Sequence, residues 1–337
     1  MNRLIRLTQL ISLAVMIAVL AACGSSNDGS SATRTASGQA SPTSAATTES
    51  GTSASAASGD AGDSAEFRVL TDAAGHEVKV PTHPQRIIAP FLEDPLSALG
   101  MKPVAQWSAG GVPQQYLQDK LAGVPALKMD GGLKPEEALS YNPDLIVFLS
   151  PVYVPEGSYD QFSQIAPTFV LSDNDSDWRG NLEKLGKLLN DEDAAAAALK
   201  QYDDKLAQTK KRLGDLPKDK SAVLLQGVDE KGFKLFGPNF YGGVTLYQAL
   251  GFRQPAVVTG NYETYSIEKL AELEDVDYIF VLSGPGRAAP PADNPLWKAL
   301  KAVKAGHVYE ADSGYWFNLN SIASGLIMDD VLKNLNA

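Results

Sequence analysis

The sequence predicts an α/β protein in which two Rossmann-like lobes are joined by a single long α-helix. Three observations predict this fold. Short apolar strands alternate with helical patterns from about residue 67 to residue 335, an order typical of parallel α/β sheets. The tract 194–213 is rich in Ala, Leu, Lys and Gln and contains neither proline nor glycine, which predicts one uninterrupted helix. A similar helix–strand unit occurs once on each side of that helix.

The strands are predicted from apolar runs, and the clearest is 144–149, a continuous run of the kind that is buried in a parallel sheet. The other predicted strands are 86–89, 104–107, 168–171, 222–225, 278–282 and 307–309. The predicted helices are one ending at Leu99-Gly100, a tract over 177–213 broken near Asn190, one over 243–250 and a last one over 321–335.

The repeated unit consists of a glutamate, one or two amphipathic helical turns, an aspartate and an apolar strand that ends in Leu-Ser. Eight positions separate Glu136 from Asp144 in the first copy, and nine separate Glu268 from Asp277 in the second. Two similar lobes are the simplest structure that contains both copies. The alternative, that any helix–strand unit gives such a match, stays open from the repeat alone.

The N-terminus has the layout of a secretory signal peptide. Arg3 and Arg6 precede an uncharged apolar stretch over 7–20, which is short for a membrane-spanning helix. Leu-Ala-Ala-Cys-Gly-Ser-Ser then resembles a lipobox around Cys23, the only cysteine of the chain. This resemblance implies a signal peptide over 1–22 and a diacylglycerol thioether on Cys23. An ordinary signal peptide with an incidental cysteine is the alternative.

Composition sets the domain boundaries that we expect. Residues 23–65 start with the lipidated cysteine and continue as a Ser-, Ala-, Thr- and Gly-rich stretch without an aromatic residue, which predicts a disordered tether. An N-terminal α/β lobe over 66–174, a connecting helical segment over 175–214 and a C-terminal α/β lobe over 215–337 follow. The formal net charge of -11 and the lack of a basic stripe argue against nucleic acid as a partner.

A set of short motifs, in order, resembles the helical-backbone substrate-binding proteins of ABC importers, in the subgroup for iron-siderophores, with cobalamin and haem binders as relatives. The motifs are Thr-Asp-Ala-Ala-Gly-His-Glu-Val-Lys-Val-Pro at 71–81, His-Pro-Gln-Arg-Ile-Ile at 83–88, Leu-Gly-Met-Lys-Pro-Val at 99–104, the two repeated units, Tyr-Gly-Gly at 241–243, Trp297 and Gly-His-Val-Tyr at 306–309.

The resemblance implies a ligand cleft between the lobes and small lobe motions about a stiff helix. It also implies that Glu136 and Glu268, one per lobe, dock on arginines of an ABC permease, whose ATPase is a further partner. The alternative role of each glutamate requires no partner protein: a carboxylate at a helix N-terminus interacts favourably with the helix macrodipole. We also expect the protein to be a monomer that is anchored by lipid on the extracellular face of a Gram-positive cell membrane.

The candidate ligand-binding residues lie mostly in loops that follow predicted strands. They are Trp107, Lys128, Tyr153, Trp178, Arg179, Gln226, Tyr241, Arg287, Tyr315 and Trp316. For each aromatic residue, packing in the core or at the rim is the alternative. Arg179 is the strongest candidate, and its alternative is a salt bridge to Asp175 or Asp177.

The expected ligand is a ferric siderophore, which needs aromatic faces and a few cations and already fills the coordination shell of its iron. Basic residues at the predicted rim are few, so a hydroxamate or mixed carboxylate–hydroxamate siderophore is favoured over a tricatecholate. No His/Cys/Asp cluster has metal-ligand spacing, and no protein-bound metal or cofactor is expected.

Other functions remain alternatives. Cobalamin or haem could replace the siderophore, and a surface sensor or interaction lipoprotein would need no small-molecule cleft. An enzyme is not expected, because Gly-x-Ser-x-Gly and P-loop motifs are absent.

Overall fold

The computed structural model of the protein describes residues 66–229, 232–260 and 262–337. The predicted signal peptide over 1–22, the lipidation of Cys23 and the tether over 23–65 lie outside the described residues. Within them the predicted fold class is confirmed: two α/β lobes are joined by one long helix.

The N-terminal lobe is built on three parallel strands flanked by short helices. Its elements are β1 (Phe67–Thr71), β2 (Glu77–Pro81), β3 (Ile87–Ile88), α1 (Glu93–Ala98), β4 (Ser108–Ala109), β5 (Val112–Pro113), α2 (Gln118–Leu121), α3 (Pro135–Ser140), β6 (Leu145–Phe148), α4 (Tyr159–Ser163) and β7 (Thr168–Val170). Strands β3, β6 and β7 pair in that order, while β1 with β2 and β4 with β5 form antiparallel hairpins.

Strand β6 shows why this sheet is covered on both faces. All four of its residues are buried. Leu145 and Val147 pack into one apolar cluster, and Ile146 and Phe148 pack into another, because alternate residues of a strand point to opposite faces. A continuous apolar run is therefore the expected pattern for this strand.

The connecting segment contains two consecutive helices, α5 (Trp178–Leu189) and α6 (Glu192–Leu213), and the longer helix, α6, joins the two lobes. The break between them is local: Asn190 adopts a left-handed conformation with φ 57°, and the carboxylate of Asp191 accepts a hydrogen bond of 3.2 Å from the Ala194 backbone N–H. This is an N-cap, and it starts the second helix in a new direction. The break at Asn190 was predicted from the sequence.

Helix α6 packs into the cores of both lobes. Ala195 and Ala198, near its start, belong to the apolar cluster of the N-terminal lobe. Tyr202 and Leu213, further along, belong to the cluster of the C-terminal lobe. Since 22 residues of α-helix span roughly 33 Å, one rigid rod supports both cores.

The C-terminal lobe contains the larger sheet. Its elements are α7 (Leu216–Asp219), β8 (Ala222–Asp229), β9 (Gly232–Phe236), a π-helical segment (Val244–Leu250), β10 (Tyr262–Ser266), a 3₁₀ segment (Ile267–Leu273), β11 (Tyr278–Ser283), α8 (Pro295–Ala299), α9 (Lys301–Lys304), β12 (Val308–Asp312), α10 (Ser313–Trp316) and α11 (Ser321–Asn334). The sheet order is β10-β9-β8-β11-β12, with β8, β11 and β12 parallel and β9 and β10 antiparallel.

Three details differ from the sequence-based expectation. Strands β9 and β10 were not predicted, and β10 reads Tyr-Glu-Thr-Tyr-Ser, an edge strand without an apolar run. The predicted strand over 104–107 was wrong in extent. Its residues Ala105 and Gln106 form isolated bridges, to Ile88 and Ala126 respectively, in place of a continuous strand.

The aspartates of the two repeated units have matching structural roles. The carboxylate of Asp144 accepts hydrogen bonds from the backbone N–H groups of Gln85 (2.7 Å) and Arg86 (2.9 Å), just before β3. The carboxylate of Asp277 accepts one from the backbone N–H of Ser221 (2.9 Å), just before β8. In each lobe the aspartate before one parallel strand thus fixes the start of its neighbour.

Asp277 is also the centre of a cluster of cations. Burial acts to raise its pKa, but Lys301, the Ser221 backbone N–H and Lys220 together lower the pKa to about 2. The Nζ–Oδ1 distances are 2.8 Å to Lys301 and 3.3 Å to Lys220. The carboxylate is therefore ionised at all ordinary pH values and holds the C-terminal sheet to its flanking helix.

We expect Asp277→Ala to lower the free energy of unfolding by about 2–4 kcal/mol, because it removes a buried, hydrogen-bonded carboxylate and leaves its donors without a partner. Urea denaturation followed by circular dichroism measures the change. Asp275→Ala removes the same group from an exposed neighbour and should change stability by less than about 0.5 kcal/mol. Equal losses in the two variants would contradict this role.

Candidate functional site

A cavity of about 1040 Å³ lies between the two lobes. The N-terminal lobe contributes Phe91, Trp107 and Tyr153 to its wall, and the C-terminal lobe contributes Tyr241 and Phe317. All five rings are half-buried, so each keeps part of its face open. A largely aromatic cleft of this size accommodates a ligand larger than an ordinary metabolite.

The N-terminal wall is organised around Phe91. Its ring centroid lies 4.7 Å from that of Tyr153 and 5.4 Å from that of Trp107. Phe91 follows β3 and has φ 70°, a left-handed conformation that is uncommon for a bulky residue. Strain of this kind concentrates at functional sites, and here it turns an aromatic ring into the cavity.

The C-terminal wall is a continuous aromatic surface. The ring centroid of Tyr241 lies 4.2 Å from that of Phe317 and 4.3 Å from that of Phe240. Tyr262 stacks on Phe240 at 5.3 Å and 12°. The guanidinium carbon of Arg287 lies 4.8 Å from the centroid of Phe317, within the range of a cation–π contact.

Among the described residues, the side chain of Arg287 contacts neutral groups. Its Nη1 donates to Gln226 Oε1 at 3.2 Å, and the same oxygen accepts from the hydroxyl of Tyr262 at 3.0 Å. Among the described residues no carboxylate lies within 4.0 Å of the guanidinium. The remaining N–H donors of a half-buried cation are therefore available to a ligand.

Carboxylates surround the aromatic walls. Asp175, Glu310, Asp312 and Asp330 line the cavity, together with Lys333. Burial and then Asp175 raise the pKa values of the Tyr153 and Tyr241 phenols on the two walls. Burial and a hydrogen bond to Asp330 raise the pKa of Tyr315. Asp175 is thus close enough to act on a phenol of each lobe.

A buried carboxylate ties the two lobes together beside the cavity. Asp94, on α1, accepts hydrogen bonds from the backbone N–H groups of Ile322 (3.1 Å) and Ala323 (2.9 Å), and so caps the start of α11 in the other lobe. The Tyr116 hydroxyl also donates to it at 3.1 Å and accepts from Asn318 at 3.0 Å. Burial raises the pKa of Asp94 to about 6, against these hydrogen bonds.

The neighbouring Glu93 supports the aromatic wall from behind. Its Oε1 accepts a hydrogen bond of 2.6 Å from the backbone N–H of Trp107. Its Oε2 is buried and has no partner among the described residues. Burial raises the pKa of Glu93 to about 7, although the Trp107 N–H acts to lower it.

The structure brings six of the ten candidate ligand-binding residues to the cavity. They are Trp107, Tyr153, Trp178, Tyr241, Arg287 and Tyr315. Trp178 is largely buried and packs edge-on against Tyr202 of α6, at 4.7 Å between centroids, so it also joins the lobes.

The other four candidates do not line the cavity. Arg179 lies outside it and donates to both carboxylate oxygens of Asp203 on α6, at 2.9 and 2.7 Å, rather than to Asp175 or Asp177. Gln226 lies behind Arg287. Trp316 is fully buried and donates from Nε1 to Asp330. Lys128 is exposed, and its backbone N–H donates to Glu137.

Sequence reasoning missed Phe91, Phe240 and Phe317. Phe240 precedes the candidate Tyr241, and Phe317 follows the candidate Trp316. The sequence therefore indicated the correct loops but not these two side chains. Phe91 follows the first predicted strand of the lobe. The rule that ligands bind beyond the carboxyl ends of parallel strands could have indicated it.

The glutamates of the repeated units are exposed and lie away from the cavity wall. Glu136 follows Pro135 in the first turn of α3. Glu268 lies in the first turn of the 3₁₀ segment, where hydrogen bonds from the Ser266 hydroxyl and the backbone lower its pKa. Both carboxylates are available at the surface, one on each lobe.

Two further observations concern the described residues alone. No group of three or more His, Cys, Asp or Glu side chains is arranged to hold a metal ion. No helix in the described part of the chain has both the length and the apolar character needed to cross a membrane.

Two α/β lobes that share one helix and enclose an aromatic cavity define the class of two-lobed binding proteins. The profile of a family described as periplasmic binding protein matches residues 96–315, and the chain belongs to that family. The family resemblance noted in the sequence is thereby confirmed.

Two relatives from Bacillus subtilis illustrate the match in sequence. The chain is 30% identical over 293 residues to the Fe(3+)-citrate-binding protein YfmC, which covers 81% of this chain and 87% of the relative. It is 30% identical over 281 residues to the iron(3+)-hydroxamate-binding protein FhuD, with 77% and 84% covered.

Solved structures match the fold as well. The complex of Staphylococcus aureus SirA with staphyloferrin B aligns with a TM-score of 0.65 at 26% identity, covering 80% of this chain and 98% of that one. An FhuD-fold component of a Fep/Fec-like ferrichrome ABC transporter from Bacillus subtilis aligns with a TM-score of 0.66 at 26% identity, covering 79% and 99%.

Glu93 predicts a specific dependence of stability on pH. A pKa of about 7 in the folded chain, against an ordinary 4.5, means that the folded state binds the proton more tightly between these values. The contribution of Glu93 to stability is therefore fully present below about pH 4.5 and is lost as the pH rises to about 7. Relative to Glu93→Gln, the native free energy of unfolding should fall by on the order of 3 kcal/mol between about pH 4 and pH 8.

Denaturant unfolding of both chains at several pH values measures this difference. Glu77→Gln, which changes an exposed glutamate on β2, serves as the control and should give a curve parallel to the native one. A parallel curve for Glu93→Gln as well would show that Glu93 is not the source of the effect.

Proposed function

We propose that the protein is the substrate-binding component of an ABC importer and that it captures a ferric siderophore in the cavity between its lobes. The observation that carries the proposal is the aromatic cavity of about 1040 Å³, which both lobes line, in a chain that belongs to the periplasmic binding protein family. The names of its relatives, which bind ferric citrate and ferric hydroxamate, support the choice of ligand.

The chemistry of the cavity suits a preformed iron chelate. Rings such as Trp107 and Tyr241 offer flat apolar faces to the organic part of a siderophore. Arg287 offers N–H donors to the oxygens that surround the iron. The iron is cargo inside the siderophore, so the protein supplies no metal ligand, and we propose neither a cofactor nor a catalytic step.

The cellular setting is part of the proposal. Lipid on Cys23 would hold the protein at the outer face of the cell membrane, where a tether keeps the binding body near its permease and raises its effective concentration there. We propose that it acts as a monomer with an ABC permease and its ATPase, and that Glu136 and Glu268 dock on the permease.

The first test of the proposal is ligand binding. Trp107 and Trp178 line the cavity, so quenching of tryptophan fluorescence reports occupancy. We expect micromolar or tighter binding of at least one ferric siderophore to the full-length chain in detergent. Quenching by haemin or cobalamin but by no siderophore would show that the ligand is haem or cobalamin instead. Quenching by none of these compounds would contradict the importer function.

Arg287→Ala should weaken siderophore binding by about tenfold or more, because a charge-assisted hydrogen bond to a ligand contributes roughly 1.5–3 kcal/mol. Arg179→Ala is the matched control: its guanidinium pairs with Asp203 outside the cavity, and affinity should stay within about threefold. The same fluorescence titration measures both variants. A larger loss in Arg179→Ala would favour the original sequence-based choice.

The double variant Glu136→Ala/Glu268→Ala should abolish uptake of the ferric siderophore into cells and leave its affinity for the purified protein unchanged. Two exposed carboxylates outside the cavity can affect transport only through a partner. Glu77→Ala/Glu274→Ala removes two other exposed glutamates and should transport normally. Normal uptake by the first variant would remove the docking role.

A further inference from the structure

We infer, on the basis of the proposed function, that the cavity selects ferric siderophores by charge and prefers chelates that are neutral or positive. Ferric trihydroxamates fulfil this condition, whereas ferric tricatecholates and ferric carboxylates do not. This inference narrows the expected ligand class, which included the mixed carboxylate type.

Six charged side chains line the cavity. Four are carboxylates, and two, Arg287 and Lys333, are cations, which gives the wall a formal charge of -2. None of the six forms an ion pair within 4.0 Å among the described residues. Asp175, Glu310 and Asp312 are exposed, and Asp330 accepts hydrogen bonds from Tyr315 and Trp316, so the four carboxylates act on the cavity through a field that salt screens. The net charge of -11 for the whole chain adds to the same field.

The position of the cations limits how much negative charge the cavity accepts. Of the two cations that line the cavity, Arg287 contacts the C-terminal aromatic wall, where its guanidinium lies over Phe317. Lys234, which does not line the cavity, lies over Tyr262 at the edge of the same wall, with its Nζ 4.3 Å from the ring centroid. Lys333 is exposed, near the carboxylate of Asp330 in the same helix. Arg287 and Lys234 match the partial negative charge of chelate oxygens, and beside four lining carboxylates they do not balance a chelate with several full charges.

The net charge of a ferric chelate depends on the groups that coordinate the iron. Each hydroxamate carries one negative charge, so three of them neutralise Fe³⁺. Each catecholate carries two, so a tricatecholate complex has a charge of about -3, and hydroxycarboxylate complexes are also anionic. An anionic chelate is repelled by the carboxylates of the cavity wall, whereas a neutral or cationic chelate avoids this repulsion.

A series of three ligands with one iron centre tests the inference directly. A linear ferric trihydroxamate with a free terminal amine has charge +1, its N-acetyl form is neutral, and its N-succinyl form has charge -1. We expect the full-length chain in detergent to bind the first two about tenfold more tightly than the third at roughly 0.02 M ionic strength, with the gap closing to about threefold or less at 0.5 M.

Removal of two carboxylates from the wall should reduce this gap at low salt. Asp175→Asn/Glu310→Gln neutralises one carboxylate near the aromatic walls and one on β12, and we expect the ratio of affinities to fall to about threefold or less. Glu77→Gln/Asp219→Asn makes the same change in net charge at exposed positions that do not line the cavity, and the ratio should stay near tenfold.

The outcomes separate this inference from the proposed function. Equal affinity for the three forms, or tighter binding of the anionic form, would overturn charge selection and leave siderophore capture intact. An equal effect of the two double variants would assign the preference to overall net charge and overturn the role of the cavity wall. Failure of all three forms, and of ferric dicitrate and a ferric tricatecholate, would overturn siderophore capture itself.

Discussion

Helix α6 is the constraint on which both lobes depend, because one rod of 22 residues is part of two separate apolar cores. Small residues, Ala195 and Ala198, allow close packing of its first half against the N-terminal lobe. Tyr202 and Leu213 fill the core of the C-terminal lobe with larger side chains. Because a helix resists bending, we expect the lobes to move by small rotations about α6 rather than by a wide hinge opening.

A second tie makes the position of the cavity walls depend on both lobes. The carboxylate of Asp94 caps α11 across the lobe boundary, and the segment just before α11 carries Tyr315 and Phe317 into the cavity. The pKa of Asp94, raised to about 6, reflects the free-energy cost of burying its carboxylate at the lobe boundary. The hydrogen bonds that Asp94 accepts therefore fix the orientation of α11 relative to α1 and add little to the net free energy of folding.

The sequence predicted what local pattern determines: the order of strands and helices, the break at Asn190 and the matching aspartates Asp144 and Asp277. It could not predict what depends on tertiary contacts. Arg179 was chosen for its neighbours in the chain, yet it pairs with Asp203, 24 positions away across the break between two helices. Phe91 faces the cavity because of a left-handed turn that no apolar pattern indicates. Six of the ten candidates named in advance therefore line the cavity, and they are a minority of the residues that form its wall.

The contrast between the two arginines explains why a cavity residue is hard to recognise from charge alone. The guanidinium of Arg179 is bound at both carboxylate oxygens of Asp203, and little of its charge remains for a ligand. Arg287 instead rests on an aromatic ring and an amide oxygen, which orient it without neutralising it. A half-buried cation without a carboxylate partner lowers stability. Under the proposed function the ligand's oxygens supply the missing partner, so the group that weakens the empty cavity is the one that strengthens binding.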